Sequence, residues 1–282
     1  MTRPLHPDSR PPQPWKLAFL GAALLFLVVA GGLLAPILAP HDPFRVSLPD
    51  RLKPPGPAYY LGTDNLGRCL LSRLLYGVRL SLTAGLAASG LSVAIGLAVG
   101  LLAGLAGKVV DAALMELTNL ALAFPGLMLA LVLAGVLGPS LATLVLGLSG
   151  LNWAWWARFV RGLVLSAKEK EYVLGAVALG VKSGRLARRY ILPQVAPQLL
   201  VVAALKTGWT IAAISGLGYL GLGAQPPAPE WGAMLQESRL FLARAPWLIV
   251  GPGAFLTVTV LGFNLLAEGL RDRFQVRPFL RW

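Results

Sequence analysis

The residues able to do covalent chemistry are few. His6 and His41 are the only histidines and Cys69 is the only cysteine. A zinc-protease helix needs two histidines one turn apart with a glutamate between them, and these two are widely separated and lie outside every long apolar run. A serine nucleophile needs a base within hydrogen-bond reach, and no apolar run contains a histidine to serve. The one Gly-Lys pair, Gly107-Lys108, is followed by Val109, and Leu102 stands where a phosphate-cradling loop has its first glycine. The sequence therefore predicts a protein that is not an enzyme, with no metal site and no cofactor.

Other candidates are ionisable groups set among apolar residues, where charge is costly and usually functional. Glu116 falls near one end of an apolar run. Lys206 falls inside another, two to three turns from its start, where its long stem could snorkel to the interface. Glu268 and Asp272 flank Arg271, a pattern for local ion pairing.

The longest polar interruption, 165–194, carries more information. Acidic Glu169 and Glu171 favour the start of a short helix, predicted from Glu169 to about Leu179. Val173, Ala176, Val177 and Gly180 fall at helical spacing and form one small apolar face. Gly180 ends the helix, and Pro193 restarts the chain. Such a face can plug a groove on another protein or lie on a membrane surface.

These features must be held by elements suited to lipid. The 282 residues are 56% hydrophobic and 13% charged, about half the charged fraction of a soluble domain, and mean hydropathy is +0.68. Six apolar runs, at 17–39, 79–105, 112–136, 140–163, 195–222 and 246–269, approach or exceed the ~20 residues of a spanning helix. The first is too long for a signal-peptide core and reads as a retained anchor. Pro125 should kink the third. Six crossings place both termini on one side. With the N-terminus inside, 16 basic residues lie inside and 8 outside, and Lys206 sits within a span; this favours N-in and C-in. The expected organisation is a cytoplasmic tail (1–16), an anchor helix (17–39), an extracytoplasmic segment (40–78), a five-helix core (79–270) with the polar loop 166–194, and a cytoplasmic tail (271–282). Within 40–78, Leu70, Leu71, Leu74 and Leu75 share a helical face from which Arg68, Ser72 and Arg73 diverge, predicting an interfacial amphipathic helix. A net charge of +13 is read here as topology rather than as nucleic-acid binding.

Five stretches in order resemble one family. The loop residues Ala176, Gly180, Ile191, Leu192 and Pro193 resemble the cytoplasmic motif of ATP-binding-cassette importer permeases, with Leu174 and Gly175 where that family commonly has Glu and Ala. Gly62-Thr63-Asp64 with Gly67-Arg68 resembles the signature of the peptide/nickel permease branch, Cys69 replacing its usual final Asp. Phe124-Pro125, the run Leu220–Met234 (with Pro226, Pro227, Glu230, Trp231 and Gly232) and Gly262–Asp272 are similar to the same branch, in its second or "C" type. The resemblance implies an all-α type I permease of six transmembrane helices, forming half of a pathway with a homologous permease. It implies two cytoplasmic ATPase subunits docked on a coupling helix through Glu171, Tyr172, Ala176, Gly180, Ile191, Leu192 and Pro193. It also implies an extracytoplasmic solute-binding protein, and a plasma-membrane location.

Two substrates fit that resemblance. Di- or oligopeptides are placed first. Nickel or a nickel chelate is the alternative, because Asn152–Arg158 looks like a tryptophan-rich stretch of nickel permeases and Ser215 replaces an acid frequent in peptide permeases. A secondary transporter, which needs no ATPase, predicts an inverted internal repeat and leaves the 171–193 loop unexplained. A purely structural membrane subunit is a further class. Deleting the loop separates these, since only the importer permease would lose ATPase association.

Overall fold

A computed structural model describes residues 14–274; of the basic residues in the two tails, Arg3, Arg10, Arg277 and Arg281 lie outside the described residues. Eleven α-helices follow one another: α1 (Pro14–Leu33), α2 (Ala35–Leu38), α3 (Leu70–Leu105), α4 (Lys108–Ala123), α5 (Met128–Leu137), α6 (Leu141–Lys168), α7 (Glu171–Ala178), α8 (Ser183–Leu186), α9 (Leu192–Tyr219), α10 (Trp231–Ser238) and α11 (Trp247–Arg273). Among the described residues there is no β-strand, only an isolated bridge between Thr63 and Cys69.

Four helical stretches are long and apolar enough to cross a bilayer: α1, α3, the continuous 183–219 run that ends in α9, and α11. Helices α4 and α5 qualify only as a pair, bent by 74° across Phe124–Leu127. Pro125 removes a backbone donor and Gly126 follows it, so the expected kink becomes a full break. The 28-residue α6 has the length, but Asn152, Trp153, Trp155, Trp156 and Arg158 dilute its apolar character.

The helix at the end of 40–78 differs from expectation. No separate interfacial helix forms. Leu70 begins the 36-residue α3, about 54 Å long at 1.5 Å per residue and so longer than a ~30 Å hydrocarbon layer. Leu70 and Leu74 pack into the protein with Ile211, Trp231, Met234 and Leu248.

Small residues set the helix packing. Gly96, Gly100 and Gly104 recur every four residues along α3 and meet Trp156, Val160 and Val164 of α6; a Cβ on Gly100 would stand 2.7 Å from the Ala157 carbonyl oxygen. Close backbone approach is the membrane substitute for a hydrophobic driving force between helices. The second tight pair is α1 against α11, where Gly21 lies on the backbone of Leu265 and Leu266.

Candidate functional sites: a charged lock, an anchored short helix and a cationic cavity

The Gly62–Arg68 stretch folds into a turn that Asp64 organises. One carboxylate oxygen, Oδ1, accepts from the backbone N–H of Leu66 (2.8 Å) and of Arg68 (2.9 Å), a local bond typical of Asp in turns. Gly67 has φ +74° and a side chain there would collide with the Ser47 carbonyl, so only glycine suits it. Thr63 is fully buried; its hydroxyl accepts from Lys53 N–H at 2.8 Å and donates to the Asp50 carbonyl. Nearby, Lys53, Ser47 and Tyr59 all donate to Asp50 and hold its carboxyl well below the usual carboxylate range.

The other Asp64 oxygen faces two guanidinium groups. Arg68 Nε lies 2.6 Å and Arg73 Nη1 2.5 Å from Oδ2. Both arginines also reach Glu237, at 2.8 Å and 2.7 Å. Two cations thus meet two anions in a nearly dry site, with Arg68 2% and Arg73 1% exposed. This corrects the reading of Arg68 and Arg73 as the polar side of an interfacial helix. Desolvation is costly unless every charge is paired, and here it is. Arg73 Nε is buried without a hydrogen-bond partner among the described residues. Arg68 belongs to the Gly62–Arg68 stretch that drew attention in the sequence, whereas nothing local marks Glu237.

The Leu220–Met234 motif is similarly buried. Glu230 is fully buried and caps α10, accepting from Ala233 N–H at 2.9 Å. Its other oxygen accepts from the hydroxyls of Ser81 on α3 (3.1 Å) and Ser215 on α9 (3.3 Å). Trp231 is wholly buried and donates to the Leu74 carbonyl. Gly232 lies directly on the Ser215 backbone. Pro226-Pro227 is a cis pair and stands in the preceding loop. Gly62, Thr63, Asp64, Gly67 and Arg68 are thus joined to α10, while Glu230, Trp231 and Gly232 join α10 to α3 and α9.

In the polar loop, α7 spans Glu171–Ala178, shorter than expected at its start. Gly180, with φ +74°, closes it: Gly180 N–H donates to Val177 O and Val181 N–H to Ala176 O, the Schellman arrangement. The apolar face inferred from spacing is split. Val173 and Ala176 are buried, packing with Val160, Val164, Ile191 and Val195. An eight-residue helix is not stable alone, so its neatest apolar pair is used to fasten it. Outward come Leu174, Val177 and, at 86% exposure, Leu179. Of the coupling candidates, Ala176 and Ile191 lie beneath the helix, Leu192 is half-buried, and Glu171, Tyr172, Gly180 and Pro193 reach the surface. Tyr172 donates to Gln194 at 3.3 Å, tying α7 to α9.

Among the charges set in apolar runs, Glu268 pairs with Arg271 as expected. Glu116 is exposed; on the same helix Asp111 pairs with Arg161 at 2.5 Å. Lys206 does not snorkel. Its α-carbon is about 20 Å from either end of α9 at 1.5 Å per residue, beyond the reach of a four-carbon stem. Its ammonium stands 4.0 Å from the Trp155 ring centroid and 5.7 Å from that of Trp209. It borders a cavity of about 990 Å³ between α4, α6 and α9.

Comparison with known proteins adds identity to this geometry. Residues 96–278 match the family described as the binding-protein-dependent transport system inner membrane component. The chain is 36% identical to the dipeptide transport system permease protein of Alkalihalophilus pseudofirmus, covering 95% of this chain and 93% of that one. It is 37% identical to the nickel transport system permease protein of Escherichia coli K12, covering 92% and 93%. It is 34% identical to the oligopeptide transport system permease protein of Bacillus subtilis, covering 94% and 87%.

Proposed function

Because the chain belongs to the family of binding-protein-dependent transport system inner membrane components, we propose that it is one permease of an ATP-driven importer of di- or oligopeptides. The observation that carries the coupling role is α7. It is a short helix fastened by Val173 and Ala176 that leaves Leu174, Val177 and Leu179 outward, covered by none of the described residues. A rigid helix with an apolar outer face suits insertion into a groove. Its occupant in this reading is a cytoplasmic ATPase subunit, one of two.

The finer architecture follows. Six crossings are formed by α1, α3, the broken α4–α5 pair, α6, α8–α9 and α11. Both termini face the cytoplasm, together with α7 and Arg185, Arg188 and Arg189 beside it, in keeping with the basic-inside bias. The 40–69 segment and α10 face outward to meet a solute-binding protein. A homologous permease supplies the other half of the pathway. Closure of the ATPases moves α7, and its bond to α9 through Tyr172 and the packing beneath it carries that motion into the spans.

Import of nickel or a nickel chelate by the same machinery is the second reading, favoured by the Escherichia coli relative and by the Asn152–Arg158 stretch. Two measurements test the proposal. Purified chain should bring down its ATPase subunits, and Leu179→Asp should weaken that association on the order of tenfold, ~1.4 kcal/mol; undiminished association removes α7 as the docking element. Cells lacking the chain should lose uptake of labelled dipeptide but retain nickel uptake; the opposite pattern selects the second reading.

A further inference from the structure

The cavity beside Lys206 holds an unusual set of groups. Its walls are apolar and aromatic, with Trp155 and Phe159 on α6 and Trp209 on α9, and it bears two cations, Lys206 and Arg158. Arg158 is held by Asn119 on α4 at 2.7 Å, a neutral partner that leaves its charge uncompensated. Lys206 has two tryptophan rings and, among the described residues, no carboxylate in ion-pair contact. None of the cavity's lining residues is acidic. On its other side Lys206 borders a small polar niche, with Ser89, Ser92, Asn152 and Thr210.

A lone ammonium at the midpoint of a spanning helix is expensive. Cation–π contact with the rings recovers only ~0.5–2 kcal/mol. An anionic group beside Lys206 and Arg158 would offset that cost, and a wall of low polarity strengthens any such pairing.

We infer that this cavity is a binding site for a carboxylate on the transported solute, with Lys206 as its charge partner, Arg158 as the second cation and Trp155 and Trp209 as the walls that orient the ammonium. This rests on the permease reading and specifies it. A free peptide carboxyl terminus and a carboxylate chelator of a metal share the required chemistry. A bare metal cation does not, since two fixed positive charges repel it.

The test uses local charge selectivity and so does not depend on transport. In a full-length chain carrying Cys69→Ala, Gly162→Cys puts the one thiol on the cavity wall, where an added Cβ meets nothing within 4 Å. The purified protein is reacted with a sulfonate-bearing and a quaternary-ammonium-bearing thiosulfonate of similar size. Focusing by like charges in a low-dielectric cleft raises local anion concentration 10-fold or more, on the order of 10–10³, so the anionic reagent should react at least about tenfold faster. Lys206→Met should bring the two rates toward parity, and Lys206→Arg should keep them apart. Equal rates with Lys206 present, or a ratio indifferent to Lys206→Met, overturns the site.

Protection then identifies the carboxylate. A dipeptide with a free terminus should slow the anionic reagent while its C-terminal amide does not. Protection by nickel citrate instead assigns the carboxylate to a chelator, and protection by neither overturns the proposal. In the assembled importer, Lys206→Met should raise KM for uptake about tenfold with its ATPase subunits still bound. Failure of the unsubstituted chain to bind an ATPase would refute the permease reading instead, and the labelling result would stand apart from it.

Discussion

At the scale of single residues, the Gly62–Arg68 motif is a device for burying charge. Asp64 bonds its own turn with one oxygen and both arginines with the other, and Glu237 closes the set from α10. Each member depends on the others because a lone charge in that site has no water to turn to. Glu237→Gln should therefore destabilise the protein by ~3–5 kcal/mol, the range for breaking a buried pair, read as a lower thermal inactivation temperature in detergent. The double variant Arg73→Met with Glu237→Gln should recover part of the loss. Asp64, Gly67 and Arg68 were visible in the sequence only through their resemblance to a permease-branch signature. Glu237 was not, because its partners are 164 and 169 residues away and no local pattern records such a distance. Lys206 was visible as an ionisable group among apolar residues, but its position at mid-helix became clear only once the helix was seen to start well upstream of the apolar run.

At the scale of elements, apolar periodicity located the long helices and misread two shorter ones. Spacing gave Val173, Ala176 and Val177 as one face but could not say whether it looks outward. In the structure Val173 and Ala176 fasten α7, while Leu174 and Val177 point away. Likewise Leu70–Leu75 read as a surface helix because Arg68 and Arg73 were assumed to need water, whereas ion pairing lets that stretch continue into α3. The packing of α3 on α6, where glycines at every fourth position of α3 lie against larger residues of α6, emerged only from the structure. Gly100→Leu should force these helices apart, since its Cβ alone would stand 2.7 Å from a backbone oxygen. Overpacking of this kind costs at least ~1–3 kcal/mol, and the expected result is loss of folded protein from the membrane, measured by yield of monodisperse material after extraction.

At the scale of the whole molecule, the proposed arrangement makes a topological prediction that can be checked without any partner. With Cys69 buried and silent, a cysteine introduced at Leu179 should react with an impermeant thiol reagent only in inside-out vesicles, and one at Tyr60 only in intact spheroplasts. Both positions are exposed. Labelling of the two from the same side would contradict the odd number of crossings between them. Composition made the membrane setting legible, because lipid selects grossly for apolar length. The way α3, α9 and α10 are tied together was not legible, because it runs through the hydroxyl–carboxylate contacts Ser81–Glu230–Ser215, which any soluble loop could also contain.

The charged lock also has a history in time. Synthesis proceeds at about 5–20 residues per second, and 164 residues separate Arg73 from Glu237, so the last anion arrives roughly 10–30 s after the guanidinium groups it must neutralise. Throughout that interval two arginines share one aspartate, and the segment around them cannot settle into its dry site. A nascent chain cut off before α10 carries that imbalance permanently, which gives quality-control proteases a chemical mark of an unfinished protein.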